Sequence, residues 1–265
     1  MLDLKTNYCY DRILKFDLKT LYSKINLGKL PDKNFIYDCL SNYLNISTDN
    51  IEIGSGTIDI LERLLSLFKN KTVTSIGPYW TGIKWSCFKN DLKFDEHDGD
   101  IAYISYPNSR DGLLREIKFD NYEFVIIDEA YGDYCNESYL KQELKNVIVT
   151  KTFSKSLSMP GIRFAYCVGE SSIIQKIKKV SHKYSINSAV QSILPDAFDL
   201  IHPHVTRMLE TKKVLEKEYD CLPSYANFVK PLIKPNYNVD VQKIENFYRF
   251  TLVDKDTLND LFINS

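Results

Sequence analysis

The stretch Lys151-Thr-Phe-Ser-Lys-Ser-Leu-Ser-Met-Pro-Gly-Ile-Arg163 decides the fold prediction for this chain. It follows a short apolar run, so its central lysine, Lys155, is expected just beyond the end of a buried strand. A lysine amine placed there can form an imine with an aldehyde, and the hydroxyls of Thr152 and Ser154 with the guanidinium of Arg163 could hold a phosphate. Most lysines beside a serine are simply solvated, so the other motifs of the chain have to decide between the two interpretations.

The composition narrows the class of protein. Of 265 residues, 44% are hydrophobic, which allows a large buried core. The 34 basic and 35 acidic side chains leave a net charge of −1, so charge gives no reason to expect a nucleic-acid or membrane partner. Six scattered cysteines, without a C-x-x-C pair or a Cys/His cluster, favour free thiols over a disulfide frame or a metal site. With no apolar run of membrane-spanning length, we expect a soluble cytoplasmic protein that binds no metal.

Short apolar runs that alternate with helical patterns predict an α/β fold with a mainly parallel sheet covered by helices on both faces. Five such runs are predicted strands: Thr72–Ile76, Ile101–Tyr106, Phe124–Asp128, Val147–Thr150 and Phe164–Val168. After Cys221 the runs become shorter and a last helix follows, which is typical of a small α+β unit. We therefore predict three parts: residues 1–30 as an N-terminal arm with part of a small domain, residues 31–200 as a large ligand-binding domain, and residues 201–265 as a reduced small domain.

Asp128 ends one of these runs and is followed by Glu-Ala-Tyr131. Ligands of open α/β sheets gather at the carboxyl ends of the strands, so a buried Asp128 could pair with the nitrogen of a pyridine ring and keep it protonated. Tyr131 could then hydrogen-bond a phenolic oxygen on the same ring. The alternative is that Asp128 only caps the segment that follows the strand, which is a common place for an acid.

Four further motifs have both a binding and a purely structural interpretation. Gly54-Ser-Gly-Thr57 opens a helix, where backbone N–H groups and the hydroxyl of Thr57 favour an anion, although threonine is also an ordinary N-cap. Trp80 follows a strand and could stack on a planar ring or belong to the core. Pro107-Asn-Ser-Arg-Asp-Gly112 has the composition of a turn. Arg249 could hold a carboxylate through two parallel hydrogen bonds or lie at the surface.

The order of these motifs resembles that of the class I and II aminotransferases, the fold-type I pyridoxal-phosphate enzymes. The branch with histidinol-phosphate aminotransferases and threonine-phosphate decarboxylases is the most similar. That family has a glycine-rich phosphate turn, a proline-x-aromatic, a Pro-Asn-Asn-Pro-x-Gly turn, Asp-Glu-Ala-Tyr, Ser-Lys, an arginine and a late arginine. The matching segments here are Gly54–Thr57, Pro78–Trp80, Pro107–Gly112, Asp128–Tyr131, Ser154-Lys155, Arg163 and Arg249. The resemblance covers most of residues 33–265.

The resemblance implies pyridoxal 5'-phosphate as cofactor and a role for each matched residue. Lys155 would bond to the cofactor and move protons, with Asp128 on the ring nitrogen and Tyr131 on the phenolic oxygen. Arg249, with Asn7 from the N-terminal segment, would bind the substrate. The remaining cofactor contacts would come from Gly56, Thr57, Trp80, Asn108, Ser109, Thr152, Ser154 and Arg163. Members of this family are typically homodimers, so a homodimer is expected.

The chain departs from the family pattern at three positions and is shorter than is usual for the family. The second Asn of the family turn, which helps to hold the cofactor's phenolic oxygen, is Ser109 here. Either Asn108, after a small shift, or Tyr131 alone would then hold that oxygen. Leu30 stands where the family has an aromatic residue that reaches the partner's phosphate. Gln242 stands where members with phosphorylated substrates often have an arginine, so a phosphorylated substrate is not supported.

Three functions are compatible with this pattern. The leading prediction is an aminotransferase that moves an amino group between an amino acid or amine and a 2-oxo acid through an imine on Lys155. The alternative is a decarboxylase of an amino acid or amino acid phosphate on the same scaffold. The third is a degenerate member that binds without turnover. The joint retention of Lys155, Asp128, Tyr131, Arg163 and Arg249 argues against it.

Overall fold

The computed structural model describes residues 2–4, 7–142, 144–235 and 239–263. Its strands, in chain order, are β1 (Leu2–Asp3), β2 (Ile51–Gly54), β3 (Thr72–Ser75), β4 (Lys93–Phe94), β5 (Ile101–Ser105), β6 (Phe124–Asp128), β7 (Val147–Thr152), β8 (Ala165–Gly169), β9 (Cys221–Leu222), β10 (Phe228–Pro231), β11 (Val239–Asp240), β12 (Gln242–Ile244) and β13 (Phe247–Thr251). Its helices are α1 (Arg12–Tyr22), α2 (Lys33–Leu44), α3 (Thr57–Leu65), α4 (Thr81–Lys89), α5 (Phe153–Ser156), α6 (Ser171–Lys179), α7 (Ser188–Glu218) and α8 (Lys255–Ile263).

The largest sheet has seven strands among the described residues, in the order β2-β8-β7-β6-β5-β3-β4. Strands β3, β4, β5, β6 and β7 pair in parallel, whereas β8 runs antiparallel to both of its neighbours, β7 and β2. The prediction of a mainly parallel α/β sheet is confirmed, and all five predicted strands are present. The structure adds β2 and β4, which were not predicted because one contains a charged residue and the other has only two residues.

Successive side chains of the central strands point to opposite faces of the sheet and pack in two apolar layers, one on each face. In β5, Ile101 and Tyr103 belong to the apolar layer that contains residues of α3, α4 and α6. Ala102 and Ile104 belong to the opposite layer, with residues of α2 and α7. All four side chains are fully buried. Helices therefore cover both faces, as the sequence predicts.

A second sheet, with the strand order β12-β13-β10-β9, is antiparallel and follows the long helix α7 in the chain. β1 pairs in parallel with β11, and Tyr10 forms a parallel bridge with Val253. The N-terminal segment therefore runs beside the C-terminal part of the chain. α7 continues through Pro195 and Pro203 and passes the predicted boundary between residues 200 and 201.

The described residues contain neither a candidate membrane-spanning helix nor a candidate metal site. No helix in the described ranges is both long and apolar enough to cross a membrane. Within the same ranges, no group of three or more histidine, cysteine or acidic side chains could hold a metal ion. The six cysteines are free thiols.

Candidate active site

A cleft of about 620 Å³ opens at the carboxyl ends of β6 and β7 and is also lined by residues of β12 and β13. Its volume suits a ligand of cofactor size. The sequence-predicted residues that line it are Asn7, Thr57, Trp80, Ser109, Asp128, Tyr131, Thr152, Ser154, Lys155, Arg163 and Arg249. The strand order therefore brings together residues that lie up to 242 positions apart in the chain.

Lys155 lies in the one-turn helix α5, directly after β7. Its Nζ donates to the carbonyl oxygen of Asn7 at 3.2 Å and lies 4.0 Å from the centroid of the Tyr8 ring. Burial, with the nearby charge of Arg249, lowers the pKa of the amine to about 7. A large share of the amine is therefore neutral near pH 7, which a nucleophilic lysine requires.

Asp128 presents a buried carboxyl group at the end of β6, where it is 4% exposed. It accepts hydrogen bonds from Tyr103 Oη at 2.8 Å, from the Ala130 N–H at 3.1 Å and from Thr150 Oγ1 at 3.2 Å. Burial raises the pKa of Asp128 above its ordinary value in spite of these donors. A cationic ring nitrogen beside it would restore the charged form, so the site favours such a partner.

Tyr131 is held on both sides in the cleft. Its ring is perpendicular to that of Phe228, with the centroids 6.4 Å apart. Its hydroxyl accepts a hydrogen bond from Asn7 Nδ2 at 3.0 Å, and the carbonyl oxygen of Asn7 accepts another from Asn227 Nδ2 at 3.1 Å. The N-terminal segment thus forms part of the wall beside Lys155.

Hydroxyl groups and a guanidinium meet at the start of α3. Thr57 is the first residue of that helix, and Gly56 before it has φ +85°. A Cβ atom at Gly56 would lie 2.2 Å from Arg163 Nη2, so only glycine leaves room for the guanidinium. Thr152 Oγ1 accepts from the Ser154 N–H at 3.2 Å, and both residues line the cleft. Such a group of donors at a helix N-terminus suits a phosphate.

The turn after β5 places Ser109, rather than Asn108, in the cleft. Asn108 is fully buried, and its amide donates to the Pro78 carbonyl at 2.5 Å while its Oδ1 accepts from the Arg110 N–H at 2.9 Å. The hydroxyl oxygen of Ser109 is buried and has no hydrogen-bond partner within the described residues. Both ends of the Asn108 amide are thus engaged by the protein, the nitrogen at Pro78 and the oxygen within its own turn.

Trp80 lies at the edge of the cleft and is 38% exposed. Its ring packs over Gly82 at the start of α4, where an added Cβ would lie 2.3 Å from the ring. A flat aromatic surface is thus available at the cleft entrance, as stacking on a planar ligand requires.

Arg249 lies on β13 and lines the cleft. Its guanidinium lies 5.7 Å from the centroid of the Phe228 ring, and its Nη2 donates to Gln242 Oε1. Burial lowers its pKa from the ordinary value, which is high enough to keep the group charged. The contact with Gln242 was not predicted from the sequence, where Gln242 was noted only as a departure. Leu30 is 71% exposed and does not line the cleft.

Comparisons with known proteins agree with this arrangement. The family model for aminotransferase class I and II matches residues 114–246, about half of the chain. A histidinol-phosphate aminotransferase of Brachyspira hyodysenteriae is 29% identical over 254 residues, with 81% of this chain and 70% of that protein covered. A histidinol-phosphate aminotransferase of Pyrococcus furiosus is 23% identical over 250 residues, with 82% and 73% covered.

Solved structures share the fold. The histidinol-phosphate aminotransferase from Clostridium acetobutylicum matches with a TM-score of 0.79 at 20% identity, over 100% of this chain and 97% of that one. The L-threonine-O-3-phosphate decarboxylase from Porphyromonas gingivalis matches with a TM-score of 0.73 at 16% identity, over 100% and 98%.

The fold and the site define an enzyme of the pyridoxal-phosphate-dependent aminotransferase class. The chain belongs to the class I and II aminotransferase family, so the resemblance found in its motifs is confirmed. Pyridoxal phosphate is the cofactor of that family.

The residues present fit this cofactor. Gly56 lets the Arg163 guanidinium lie against the backbone before α3, at the end suited to the phosphate. Thr57, Thr152 and Ser154 line the same cleft and carry hydroxyl groups that suit a phosphate. Lys155 supplies the amine for an aldehyde, and Asp128 supplies the acid for the ring nitrogen.

Proposed function

We propose that this protein moves an amino group between an amino acid or amine and a 2-oxo acid, with pyridoxal phosphate in the cleft and Lys155 as the reactive side chain. The observation that carries this proposal is the environment of Lys155. Burial and Arg249 lower the pKa of its amine to about 7. An amine with that pKa can bond to a carbonyl carbon, and it can accept and return a proton at neutral pH.

Pyridoxal phosphate, when bound, supplies an aldehyde for an amine and a protonated ring that withdraws electrons from the substrate's Cα. Asp128 would keep the ring nitrogen protonated through its negative charge, and Tyr131 would donate to the phenolic oxygen. Trp80 would stack on the ring. The hydroxyls of Thr57, Thr152 and Ser154 and the guanidinium of Arg163 would hold the phosphate.

Arg249 would hold the α-carboxylate of the amino acid. The bond that breaks is the one that lies perpendicular to the cofactor ring, and the aminotransferase reaction requires Arg249 to hold the carboxylate away from that direction, with the Cα–H bond along it. Lys155 Nζ then takes the proton from Cα, and its hydrogen bond to the Asn7 carbonyl with the Tyr8 ring beside it keeps the amine in place. This arrangement favours the aminotransferase reaction over decarboxylation.

A panel assay tests the proposal. The protein is incubated with pyridoxal phosphate, single amino acids and a 2-oxo acid, and the products are separated by chromatography while released CO₂ is collected. We expect a new amino acid and a new 2-oxo acid in equal amounts. CO₂ with an amine product would establish the decarboxylase instead, and no product from a cofactor-loaded protein would establish the degenerate member.

A substitution of Arg249 tests its proposed role in binding the α-carboxylate of the substrate. Arg249→Ala is expected to raise the KM for the amino acid by at least about tenfold, because a charge-assisted pair of hydrogen bonds is lost. The affinity for pyridoxal phosphate, measured above pH 8, is expected to change less, since Arg249 is not among the residues proposed to hold the phosphate. Equal losses in both affinities would show that Arg249 is structural.

Three further features belong to the proposal. A homodimer is supported by the exposure of large apolar side chains on α4, where Trp85 is 53% and Phe88 72% exposed. A cytoplasmic location is supported by the free cysteines, which suit a reducing compartment. In the division into residues 1–30, 31–200 and 201–265, the grouping of the N-terminal arm with the small domain is supported by the pairing of β1 with β11, whereas α7 continues through the boundary between residues 200 and 201.

A further inference from the structure

The turn of Asn108 and Ser109 offers no amide to the cleft. The side-chain amide of Asn108 donates to the Pro78 carbonyl oxygen and accepts from the N–H of Arg110. Ser109 lines the cleft, but it carries no amide and its hydroxyl oxygen is buried. A donor for the phenolic side of a bound ring therefore has to come from elsewhere.

The N-terminal segment brings an amide to Tyr131. Asn7 Nδ2 donates to Tyr131 Oη at 3.0 Å, and the two residues are only 4% and 5% exposed. Thr251 Oγ1 donates to Asn7 Oδ1 at 2.9 Å, so both ends of the Asn7 amide are engaged, its oxygen by Thr251 and its nitrogen by Tyr131.

This contact determines what Tyr131 can do. A phenol that accepts a hydrogen bond at its oxygen still has its own proton to donate elsewhere. Burial raises the pKa of Tyr131 above its ordinary value, so the phenol keeps that proton throughout the neutral range. Since Tyr131 lines the cleft, the proton is available to a ligand there.

We propose that Asn7 is a positioning residue that acts through Tyr131 and fixes its phenol as the donor to the phenolic oxygen of pyridoxal phosphate, in place of the absent turn amide. The inference rests on the proposed function, because it requires the bound cofactor. It assigns Asn7 to the cofactor side of the site, whereas the family resemblance implies a substrate contact.

The backbone of Asn7 ties this role to the docking of the N-terminal segment. The residue has φ +59°, and its carbonyl oxygen accepts from Lys155 Nζ at 3.2 Å and from Asn227 Nδ2 at 3.1 Å. The segment that holds the lysine amine therefore also orients the phenol that contacts the ring.

The charged and titratable groups that face Tyr131 come from several elements and stay unchanged when Asn7 is replaced. They are Tyr8, Asp128, Tyr134, Lys155 and Arg249. A change in the titration of the bound cofactor on replacement of Asn7 therefore reports the loss of the amide.

Two variants remove the amide, and the pH midpoint of the cofactor's visible absorption change is the readout. Asn7→Gly is the main variant, because glycine adopts φ +59° without strain, and Asn7→Ala is the comparison. Weaker donation leaves more negative charge on the phenolic oxygen, which then holds its proton to a higher pH. We expect both variants to raise the midpoint by about one pH unit and to weaken cofactor binding about threefold to tenfold.

A double-mutant cycle separates action through Tyr131 from a general effect. Tyr131→Phe is expected to raise the midpoint as well, and Asn7→Gly added to it is expected to shift it by less than about 0.3. Equal shifts of Asn7→Gly in both backgrounds, no shift, or a shift with Asn7→Ala alone would overturn the inference. Failure of the unaltered protein to bind pyridoxal phosphate would overturn the proposed function instead.

Discussion

Lys151 and Lys155 lie four positions apart in the chain, and their amines have opposite electrostatic environments. Lys151 pairs with Asp133 at 2.6 Å, and this pairing holds the pKa of its amine above the ordinary value although burial opposes it. Lys155 is buried near Arg249, and its pKa falls to about 7. The pKa values of the two amines are thus shifted in opposite directions, upward by the carboxylate beside Lys151 and downward by burial and the charge of Arg249 at Lys155.

The pH dependence of cofactor capture follows from this difference. The rate at which the cofactor-free protein bonds to pyridoxal phosphate is expected to rise between pH 5.5 and 7, as Lys155 loses its proton, and to level off above about pH 8. Stopped-flow absorption measures the rate. A rate that keeps rising about tenfold per pH unit up to pH 9 would mean that Lys155 has an ordinary lysine pKa. In Lys155→Ala, Lys151 remains, and no capture is expected.

At the residue scale, the sequence predicted the groups that follow strand ends. Asp128 and Lys155 were found because their neighbours form buried strands and recognisable motifs. The contact between Asn7 and Tyr131 joins residues 124 positions apart, and no local pattern encodes it. Gln242 was known as a departure, but its bond to Arg249 depends on the register of β12 against β13.

The start of α3 is the element on which phosphate binding depends most. Gly56→Ala is expected to raise the dissociation constant of pyridoxal phosphate by at least about tenfold, because the added Cβ displaces the Arg163 guanidinium and strains a residue with φ +85°. A fluorescence titration measures the constant. Gly161→Ala is the matched control, since a Cβ there meets nothing within 4 Å. Equal effects of the two substitutions would contradict the assignment of the phosphate end.

The buried carboxylate of Asp11 joins the N-terminal segment to α7 through hydrogen bonds. Asp11 Oδ2 lies 2.8 Å from His204 Nδ1 and accepts from Arg207 Nη2 at 2.7 Å. Burial alone would raise the pKa of Asp11, but the hydrogen bonds of His204 and Arg207 overcome it and lower the pKa to about 2.

A carboxylate whose pKa is lower in the folded state stabilises that state above its unfolded pKa and loses this effect as the pH falls through the folded value. Asp11 is therefore expected to contribute about 2 kcal/mol above pH 5, and little near pH 2. Urea unfolding of the protein and of Asp11→Asn at pH 6, 4 and 3 measures the difference. The exposed Asp98→Asn is the control, with little change at any pH. A difference that stays constant from pH 6 to pH 3 would contradict the argument.

At the element scale, the sequence predicted the strands that are continuous apolar runs. It did not predict β2, where Glu52 interrupts the run and is buried because Arg63 pairs with it. It also did not show that β8 runs antiparallel, because strand direction depends on the path of the connecting chain rather than on local composition.

The whole molecule forms its cleft from the seven-stranded sheet, the four-stranded sheet and the N-terminal segment. The exposed side chains of Trp85 and Phe88 lie on α4, next to the cleft residues Trp80 and Thr81. If they lie at a subunit interface, sedimentation equilibrium should give about twice the chain mass of 30.8 kDa. A single-chain mass at concentrations well above those of the activity assay would contradict the proposed homodimer.

The most direct test of the central claim is the visible absorption spectrum of the purified protein with pyridoxal phosphate, recorded before and after addition of each amino acid of a panel. The account predicts a visible band from cofactor bonded to the protein, its absence in Lys155→Ala, and a shift of the band with at least one amino acid. A folded protein with Lys155 intact that gives no band would contradict the account, because the cleft would then not hold the cofactor.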